Sequence, residues 1–256
     1  MKYKKILIFI WWIFSAILII GWNQADIKHR EIETNKVTGK VFDKEKILSK
    51  LYDYNKEIEL NNNIFASDEN KAYKLIRGTK KVLLSAPHAT QHIRDDREKG
   101  RDVLTGAIVR VLQELTDCYA IYTTHKTRFD PNWYDDTSYK EEIRKLIETE
   151  NIIVVLDIHG AAERRPFEVD FGTMYGDSLL GEDYLLDKLI LLLNKNDIRD
   201  LSFNFFSAQG QRTTTCFVAD YGTPAVQIEI NRKLRGKDRE KTLKLIKALY
   251  EYIEGF

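Results

Sequence analysis

The 256-residue sequence contains little cysteine. Cys118 and Cys216 are its only two, far apart and in no Cys-x-x-Cys pair. A zinc site built from cysteines is therefore excluded by count. A single disulfide between them stays open if the domain is exported, with two buried free thiols as the alternative.

Excess charge of either sign is also missing. Lys and Arg together number 40 and Asp and Glu 39, which gives a formal net charge of +1. The basic residues are spread along the chain and form no single patch. Electrostatics therefore give no reason to expect a nucleic acid as partner, and a small molecule or a short peptide is the expected substrate.

Several common catalytic motifs are absent as well. The sequence has no GxSxG elbow, no GxxxxGK[ST] loop, no GxGxxG after a predicted strand and no HExxH. It also lacks Pro/Gly-rich linkers and internal repeats. Because the hydrophobic share of 43% is ordinary for a globular protein, we expect one sizeable domain with a buried core.

One long apolar run, over residues 6–22, comes after three N-terminal lysines. Its length suits a bilayer span, and basic residues before it favour translocation of the chain beyond the span. The residues after the run match the small-residue pattern of a signal peptidase site poorly. We therefore expect residues 1–25 to be a signal anchor or signal peptide, and the poor cleavage site favours the anchor. An anchor would hold the domain at the membrane on the extracytoplasmic side, and cleavage would make it secreted.

Two regions lie beyond this segment. Residues 26–63 are polar and charged, with a weak helical pattern that predicts a stalk and a peripheral helix. Residues 64–256 alternate short apolar runs with amphipathic stretches, which predicts an α/β domain with an open, mainly parallel or mixed sheet and helices on both faces. The predicted strands are 82–86, 119–124, 152–156 and 225–230, and the predicted helices 105–115, 139–149, 184–193 and 241–253.

Two of the predicted strands are closely followed by a histidine, His88 in one case and His159 in the other. In sheets of this kind ligands bind at the carboxyl ends of the strands. A single histidine there is more often structural, but two with the same placement favour a metal site. Asp157 can orient an imidazole, and Gly160 allows the backbone to approach a ligand.

A catalytic zinc site of this type needs a third protein ligand. The acid-rich segment between the two histidines offers Asp95, Asp96, Glu98 and Asp102. A solvated surface loop is the alternative for most of these acids.

Glu229 shares one face of the last predicted strand with Gln227. A carboxylate on a buried strand needs a partner or a task. A general base next to a metal-activated water explains it, and so does a salt bridge to Arg232 or Arg235.

Three segments resemble the motifs of the N-formylglutamate amidohydrolase family, which belongs with the zinc carboxypeptidase-like hydrolases. The resemblance extends over about residues 81–235 and implies one Zn²⁺ ion at the edge of an α/β sheet. His88 and His159 are then metal ligands, and Glu229 is the base that activates water. The segments are Ser85-Ala86-Pro87-His88-Ala89, Asp157-Ile158-His159-Gly160 and Gln227-Ile228-Glu229-Ile230-Asn231-Arg232.

The resemblance also bears on the third ligand. Carboxypeptidase relatives use His-x-x-Glu, but the matching position here is Gln91. Members with a Pro-His-Ala motif carry an acid shortly before Thr-Gly, which implies Asp102, with Glu98 as the second choice.

The substrates of this family carry carboxylates, so an arginine is expected to bind one. Arg232 lies within the matching motif and is the first candidate. Arg128 and Arg94 are the other two.

The resemblance implies a zinc-dependent amidohydrolase of carboxylate-bearing substrates such as N-formylglutamate. The N-terminal segment favours an alternative, an extracytoplasmic zinc peptidase acting on γ-glutamyl or cell-wall peptides. A membrane-anchored binding protein on a degenerate hydrolase fold is a third hypothesis, supported by Gln91 at the His-x-x-Glu position.

Overall fold

The computed structural model describes residues 42–210 and 212–256. The expected signal segment at residues 1–25 and the first part of the expected stalk lie outside these ranges. Within them, no helix combines the length and apolarity needed to cross a bilayer. Residues 43–256 make up one compact unit.

A mixed sheet of seven strands lies at the centre of this unit, and two further strands form a separate hairpin. The sheet strands are β1 (Tyr73–Ile76), β2 (Lys80–Ala86), β5 (Cys118–Thr123), β6 (Val154–Ala161), β7 (Val169–Gly172), β8 (Leu201–Phe203) and β9 (Ala225–Asn231), and the hairpin strands are β3 (His92–Arg94) and β4 (Arg97–Lys99).

In space the sheet has the order β1-β5-β2-β6-β9-β7-β8. The four central strands β5, β2, β6 and β9 run parallel to one another. By contrast, β1 pairs antiparallel with β5, and β7 pairs antiparallel with β9. The predicted α/β fold is confirmed, with a mixed sheet.

Helices cover both faces of the sheet. Ile121 of β5 joins the hydrophobic cluster formed with α3 and α5, whereas its neighbour Tyr122 lies close to Gly106 of α2 on the other face. Helices α1 and α6 pack on α2, and α4 packs on α6. The helices are α1 (Lys44–Leu60), α2 (Thr105–Thr116), α3 (Ser138–Thr149), α4 (Tyr184–Lys195), α5 (Thr214–Asp220) and α6 (Arg239–Glu254).

Helix α1 begins at a side-chain cap, because the carboxylate of Asp43 accepts a hydrogen bond from the backbone N–H of Lys46 at 3.1 Å. Its buried residues recur at helical spacing and face α2 and α6. The helix is thus packed against the rest of the α/β domain over much of its length.

The sequence predicts a solvated loop for most of the acid-rich segment. In the structure, β3 and β4 instead form a hairpin with a two-residue turn there. Asp95 and Asp96 occupy the turn with φ values of 49° and 58°. Aspartate tolerates this left-handed conformation, and paired positive φ values suit the twist of a tight hairpin.

Both cysteines are free and buried. Cys118 lies in β5 and Cys216 in α5. Cys118 and Cys216 therefore form no disulfide bond with each other, and the alternative of two buried thiols holds.

The chain order places a crevice at the ends of β2 and β6. After β2 the chain passes through α2 to β5 on one side, then returns through α3 to β6 on the other side of β2. Crevices at such a reversal are where α/β sheets bind their ligands.

Candidate metal centre

Three predicted ligands converge at this crevice. His88 follows β2, His159 lies in β6, and Asp102 lies in the loop before α2. The Oδ2 atom of Asp102 is 3.6 Å from Nδ1 of His88 and 3.5 Å from Nδ1 of His159. All three residues present ligand atoms within 4.8 Å of one another, so they can hold a metal ion.

The spacing of these atoms fits an ion better than direct hydrogen bonds. At 3.5–3.6 Å the contacts are longer than ordinary hydrogen bonds. Ligand atoms placed about 2.0–2.2 Å from a tetrahedral ion are roughly 3.3–3.6 Å apart. The donor set therefore fits a small tetrahedral cation.

A buried carboxylate holds the outer nitrogen of each imidazole. Nε2 of His88 lies 2.8 Å from Asp130, and Nε2 of His159 lies 3.0 Å from Asp157, as expected for an orienting acid. Both carboxylates are fully buried. Each carboxylate lies at Nε2, so Nδ1 of each ring faces Asp102. An imidazole that gives up its Nδ1 proton to an ion would keep its Nε2–H for the carboxylate behind it.

Each orienting carboxylate is itself fixed. Asp157 accepts a hydrogen bond from the hydroxyl of Ser85 at 2.8 Å. Asp130 accepts two from Arg94, both at 2.6 Å, and one from the backbone N–H of Asn132 at 2.8 Å. These bonds lock the ring orientations before any ion binds.

The electrostatics of the cluster show what a bound cation would replace. Burial lowers the pKa of His88, but Asp130 and Asp102 outweigh it and the net shift is upward. Burial opposes charge at His159 too, yet Asp157 and Asp102 raise its pKa well above the usual value. Burial raises the pKa of Asp102 and the two histidines reverse this, so that its pKa is lowered. The carboxylates thus favour a positive charge on the two histidines. A bound metal ion would supply that charge in place of the protons that the histidines lose.

Glu229 stands beside His159. The two are register partners on the parallel strands β9 and β6, so their side chains project from the same face. Burial raises the pKa of Glu229 to about 7, opposed by His159 and reinforced by Asp102. Arg232 and Arg235, its alternative salt-bridge partners, donate instead to backbone carbonyl oxygens. The carboxylate is thus available to exchange a proton near neutrality.

A second histidine group lies behind the first and was not predicted. His92 stacks on His88 with ring centroids 4.0 Å apart, and with Asp130 they form another set of close ligand atoms. Arg94 already neutralises Asp130. We therefore interpret His92 as a residue that supports the ring of His88. Burial lowers the pKa of His92 to about 3.

The cluster opens into a cavity of about 510 Å³. His88, Asp102, His159 and Glu229 all line it, and Gln227 does so on the same face as Glu229. The three candidate ligands, the carboxylate of Glu229 and the cavity are therefore contiguous.

The structure brings one of the three predicted arginines to this cavity. Arg94 lines it, but two of its nitrogens are bound to Asp130. Arg128 turns towards Glu69 and the carbonyl of Ala66 on the surface. Arg232 begins the short 3-10 turn after β9, and its side chain bonds the carbonyl of Arg235. Neither Arg128 nor Arg232 is placed to meet a ligand in the cavity.

Arg165, not singled out from the sequence, does line the cavity. Its guanidinium carbon lies 5.2 Å from the ring centre of Phe205 and 4.9 Å from that of Phe206. Its Nε is buried without a hydrogen-bond partner in the described part of the chain. The available signal was its place within residues 81–235, the range over which the sequence resembles the amidohydrolase family. The aromatic neighbours come from a distant segment that periodicity does not connect to it.

Glu98, the second choice for the third ligand, and Gln91, the residue at the His-x-x-Glu position, both lie elsewhere. Glu98, on β4, pairs with Lys126, and Gln91 does not line the cavity. Asp102 is therefore the acid that the fold brings to the two histidines.

No family model matches the sequence, and no curated protein matches it. Among solved structures, N-formylglutamate amidohydrolase from Ralstonia eutropha is similar, with a TM-score of 0.50 and 15% identity over 71% of this chain and 96% of that one. A bacteriophage poly-gamma-glutamate hydrolase scores 0.45 at 16% identity, covering 72% and 87%. A metallo-carboxypeptidase from Pseudomonas aeruginosa scores 0.46 at 13%, covering 80% and 67%. The chain thus has the fold of N-formylglutamate amidohydrolase, as the resemblance of its motifs implied.

Proposed function

We propose that this chain is a zinc-dependent amidohydrolase, which cleaves an amide bond in a substrate that carries a carboxylate, such as N-formylglutamate. The observation that carries the proposal is the convergence of His88, His159 and Asp102 next to Glu229 at one end of the cavity. Two imidazoles, one carboxylate and an adjacent proton acceptor are the groups that metal-assisted hydrolysis requires.

When bound, Zn²⁺ would polarise the amide carbonyl and make a water molecule more acidic. The residues of the chain do the rest. Asp130 and Asp157 hold Nε2 of the two histidines, so that Nδ1 of each ring is the atom directed towards Asp102. Glu229 takes the proton of the attacking water and returns it to the departing nitrogen, and a pKa near 7 suits both transfers.

Arg165 is the residue that we propose binds the substrate carboxylate. The guanidinium of Arg165 lies over the rings of both Phe205 and Phe206. Asp170, fully buried, accepts hydrogen bonds from the backbone N–H groups of Phe205 and Phe206 at 3.1 and 2.9 Å and so fixes this aromatic turn. An oriented guanidinium with free donors is suited to bind a carboxylate in a planar, two-point arrangement.

The position of Asp102 favours the hydrolase over the binding-protein hypothesis. The latter depended on Gln91 in the place of a third ligand, and Asp102 lies where that ligand is needed. The proposed extracytoplasmic location depends on residues 1–25, outside the described ranges.

The proposal is tested by assaying the purified protein, stripped of metal and then given one equivalent of zinc, on paired substrates. N-formylglutamate and its carboxamide counterpart make such a pair, and γ-glutamyl peptides form a second series. We expect amide hydrolysis after zinc is added, with the acid preferred to the carboxamide. Absence of turnover on all of these substrates by the zinc-loaded protein would refute the proposal.

Arg165→Met is expected to lower kcat/KM for a carboxylate substrate about 10- to 100-fold, mainly through KM. A hydrogen bond to a charged group contributes roughly 1.5–3 kcal/mol, which corresponds to that range. Activity on the carboxamide should change little. Michaelis–Menten kinetics on both substrates measure the difference.

Arg164→Met is the matched control, because Arg164 is exposed and does not line the cavity. Its kinetics should equal those of the wild type. An equal loss on acid and carboxamide in Arg165→Met would show that Arg165 does not recognise the carboxylate.

A further inference from the structure

Arg235 is a buried cation that the proposed chemistry does not use. Only 3% of its surface is exposed. Its Nε donates to the carbonyl of Ile230 at 2.9 Å, and one terminal nitrogen donates to that of Ala161 at 3.0 Å. The other terminal nitrogen donates to the carbonyl of Val103. One guanidinium thus joins the end of β9, the end of β6 and the loop that contains Asp102.

Burying a guanidinium is costly unless its surroundings compensate it. The three carbonyl groups satisfy donors on each of its nitrogens, but they provide no full negative charge. Burial lowers the pKa of Arg235, and the negative charges of Asp102 and Glu229 oppose this effect by favouring the cation. The free-energy cost of burying Arg235 is therefore not explained by its hydrogen bonds alone, which suggests a specific function for this side chain.

Gly160 shows how closely Arg235 approaches the metal ligands. A Cβ atom added to Gly160 would lie 2.5 Å from Cζ of Arg235, so only glycine leaves room for the guanidinium. The backbone N–H of the same Gly160 donates to Oδ2 of Asp102 at 3.0 Å. Arg235 therefore packs against the peptide that binds the third ligand.

Asp102 is the ligand with the least support from secondary structure. His159 is part of β6, and His88 follows β2 directly, whereas Asp102 lies in a loop. Its backbone N–H donates to the carbonyl of His88 at 2.7 Å. Two residues later, Leu104 has φ 75°, a left-handed value that a leucine adopts only when its surroundings impose it. Arg235 holds Val103, the residue between them.

We infer that Arg235 is a positioning residue for the metal site: it ties the Asp102 loop to the ends of β6 and β9 and thereby sets Asp102 at ligand distance from His88 and His159. The inference rests on the proposed function. It assigns to Arg235 an effect on metal affinity that is separate from its contribution to folding. The planar guanidinium is essential, because one ammonium group cannot reach three carbonyls in this fork arrangement.

Arg235→Lys tests this inference, because it keeps the charge and removes the fork. We expect the full-length variant to bind zinc at least about tenfold more weakly, since loss of a group that orients a ligand typically costs 10- to 100-fold in metal affinity. Competition with a chromophoric chelator measures the dissociation constant, and circular dichroism checks that the metal-free protein is folded. Arg110→Lys is the matched control. Arg110 pairs with Glu57 and stacks on Tyr54 of α1, so this variant should affect thermal stability without changing zinc affinity.

Gly160→Ala provides a second route if Arg235→Lys does not fold. The added methyl group must displace the guanidinium, so a similar loss of zinc affinity is expected. Gly100→Ala is its control, because a Cβ at Gly100 would meet nothing within 4 Å. If both changes act through the same contact, the double variant Gly160→Ala/Arg235→Lys should bind zinc no more weakly than the weaker single variant.

The results separate this inference from the proposed function. Weaker zinc binding in Arg235→Lys or Gly160→Ala, with unchanged affinity in the controls, supports the positioning role. Zinc affinity within about twofold of the wild type in a folded variant that has only lost thermal stability overturns it and leaves the proposed function standing. A wild type that binds no zinc overturns both.

Discussion

Replacing Glu229 by glutamine is expected to leave zinc bound while lowering kcat roughly 10²- to 10⁴-fold, the usual contribution of a general base. Glutamine has nearly the same shape and can still form hydrogen bonds, but it cannot accept the proton of a water molecule. Because Glu229 is not one of the three converging ligands, the metal content should stay at one ion per chain. Steady-state kinetics and metal analysis on the same preparation measure the two effects.

The pH profile gives an independent signature of the same residue. Burial raises the pKa of Glu229 to about 7 in the metal-free site, and a bound cation nearby lowers it because it favours the carboxylate form. The base works only when deprotonated. In the wild type kcat/KM should therefore increase with pH up to an apparent pKa at or below 7, and this acidic limb should be absent in Glu229→Gln.

Glu163→Gln serves as the control, because Glu163 pairs with Lys237 at the surface and should be kinetically silent. Retention of more than about a tenth of wild-type kcat in Glu229→Gln would assign the proton transfer to another group, since even a weak general base contributes about 10²-fold.

Replacing His159 by alanine is expected to abolish stoichiometric zinc binding and, with it, hydrolysis. Only His88 and Asp102 remain as close ligands, and a catalytic zinc site normally uses three protein groups. The wild type should contain about one ion per chain after dialysis against a weak chelator, and His159→Ala far less. Metal analysis by plasma emission gives the ratio.

His125→Ala is the matched control for this variant. His125 contacts Thr124 through Nδ1 and does not line the cavity, so zinc content should be unaffected. His159→Ala also leaves Asp157 buried without its imidazole partner, and some loss of thermal stability is expected. A folded His159→Ala protein that retained one zinc ion per chain would place the metal elsewhere.

The regular elements of the fold were largely predictable from local patterns. The buried run at 152–156 overlaps β6, and the helical spacing at 105–115 matches α2. The sequence analysis did not predict the short elements that have little periodicity. The hairpin of β3 and β4 is polar, and β8 has only three residues. Their pairing depends on contacts across the sheet and at turns, which a local hydrophobic pattern does not record.

The residues of the candidate site were likewise predictable in part. By itself, the sequence predicted His88 and His159 just after two buried strands and Glu229 on a third, and in the structure His159 lies within β6 itself. Since parallel strands end at a common edge, that information was enough to bring the three together. The motifs around them also determined the resemblance and the expected fold.

Only the tertiary structure showed that Asp102 lies beside the two histidines, and that Arg165 lines the cavity whereas Arg128 and Arg232 do not. Asp102 lies beside the histidines and accepts a hydrogen bond from the backbone N–H of Gly160, whereas Glu98 is directed towards Lys126. Arg165 lines the cavity and lies over two aromatic rings from a distant segment. The physical reason is the same in each case: the position of a loop side chain depends on contacts between segments far apart in the chain, and local propensity carries no information about those contacts.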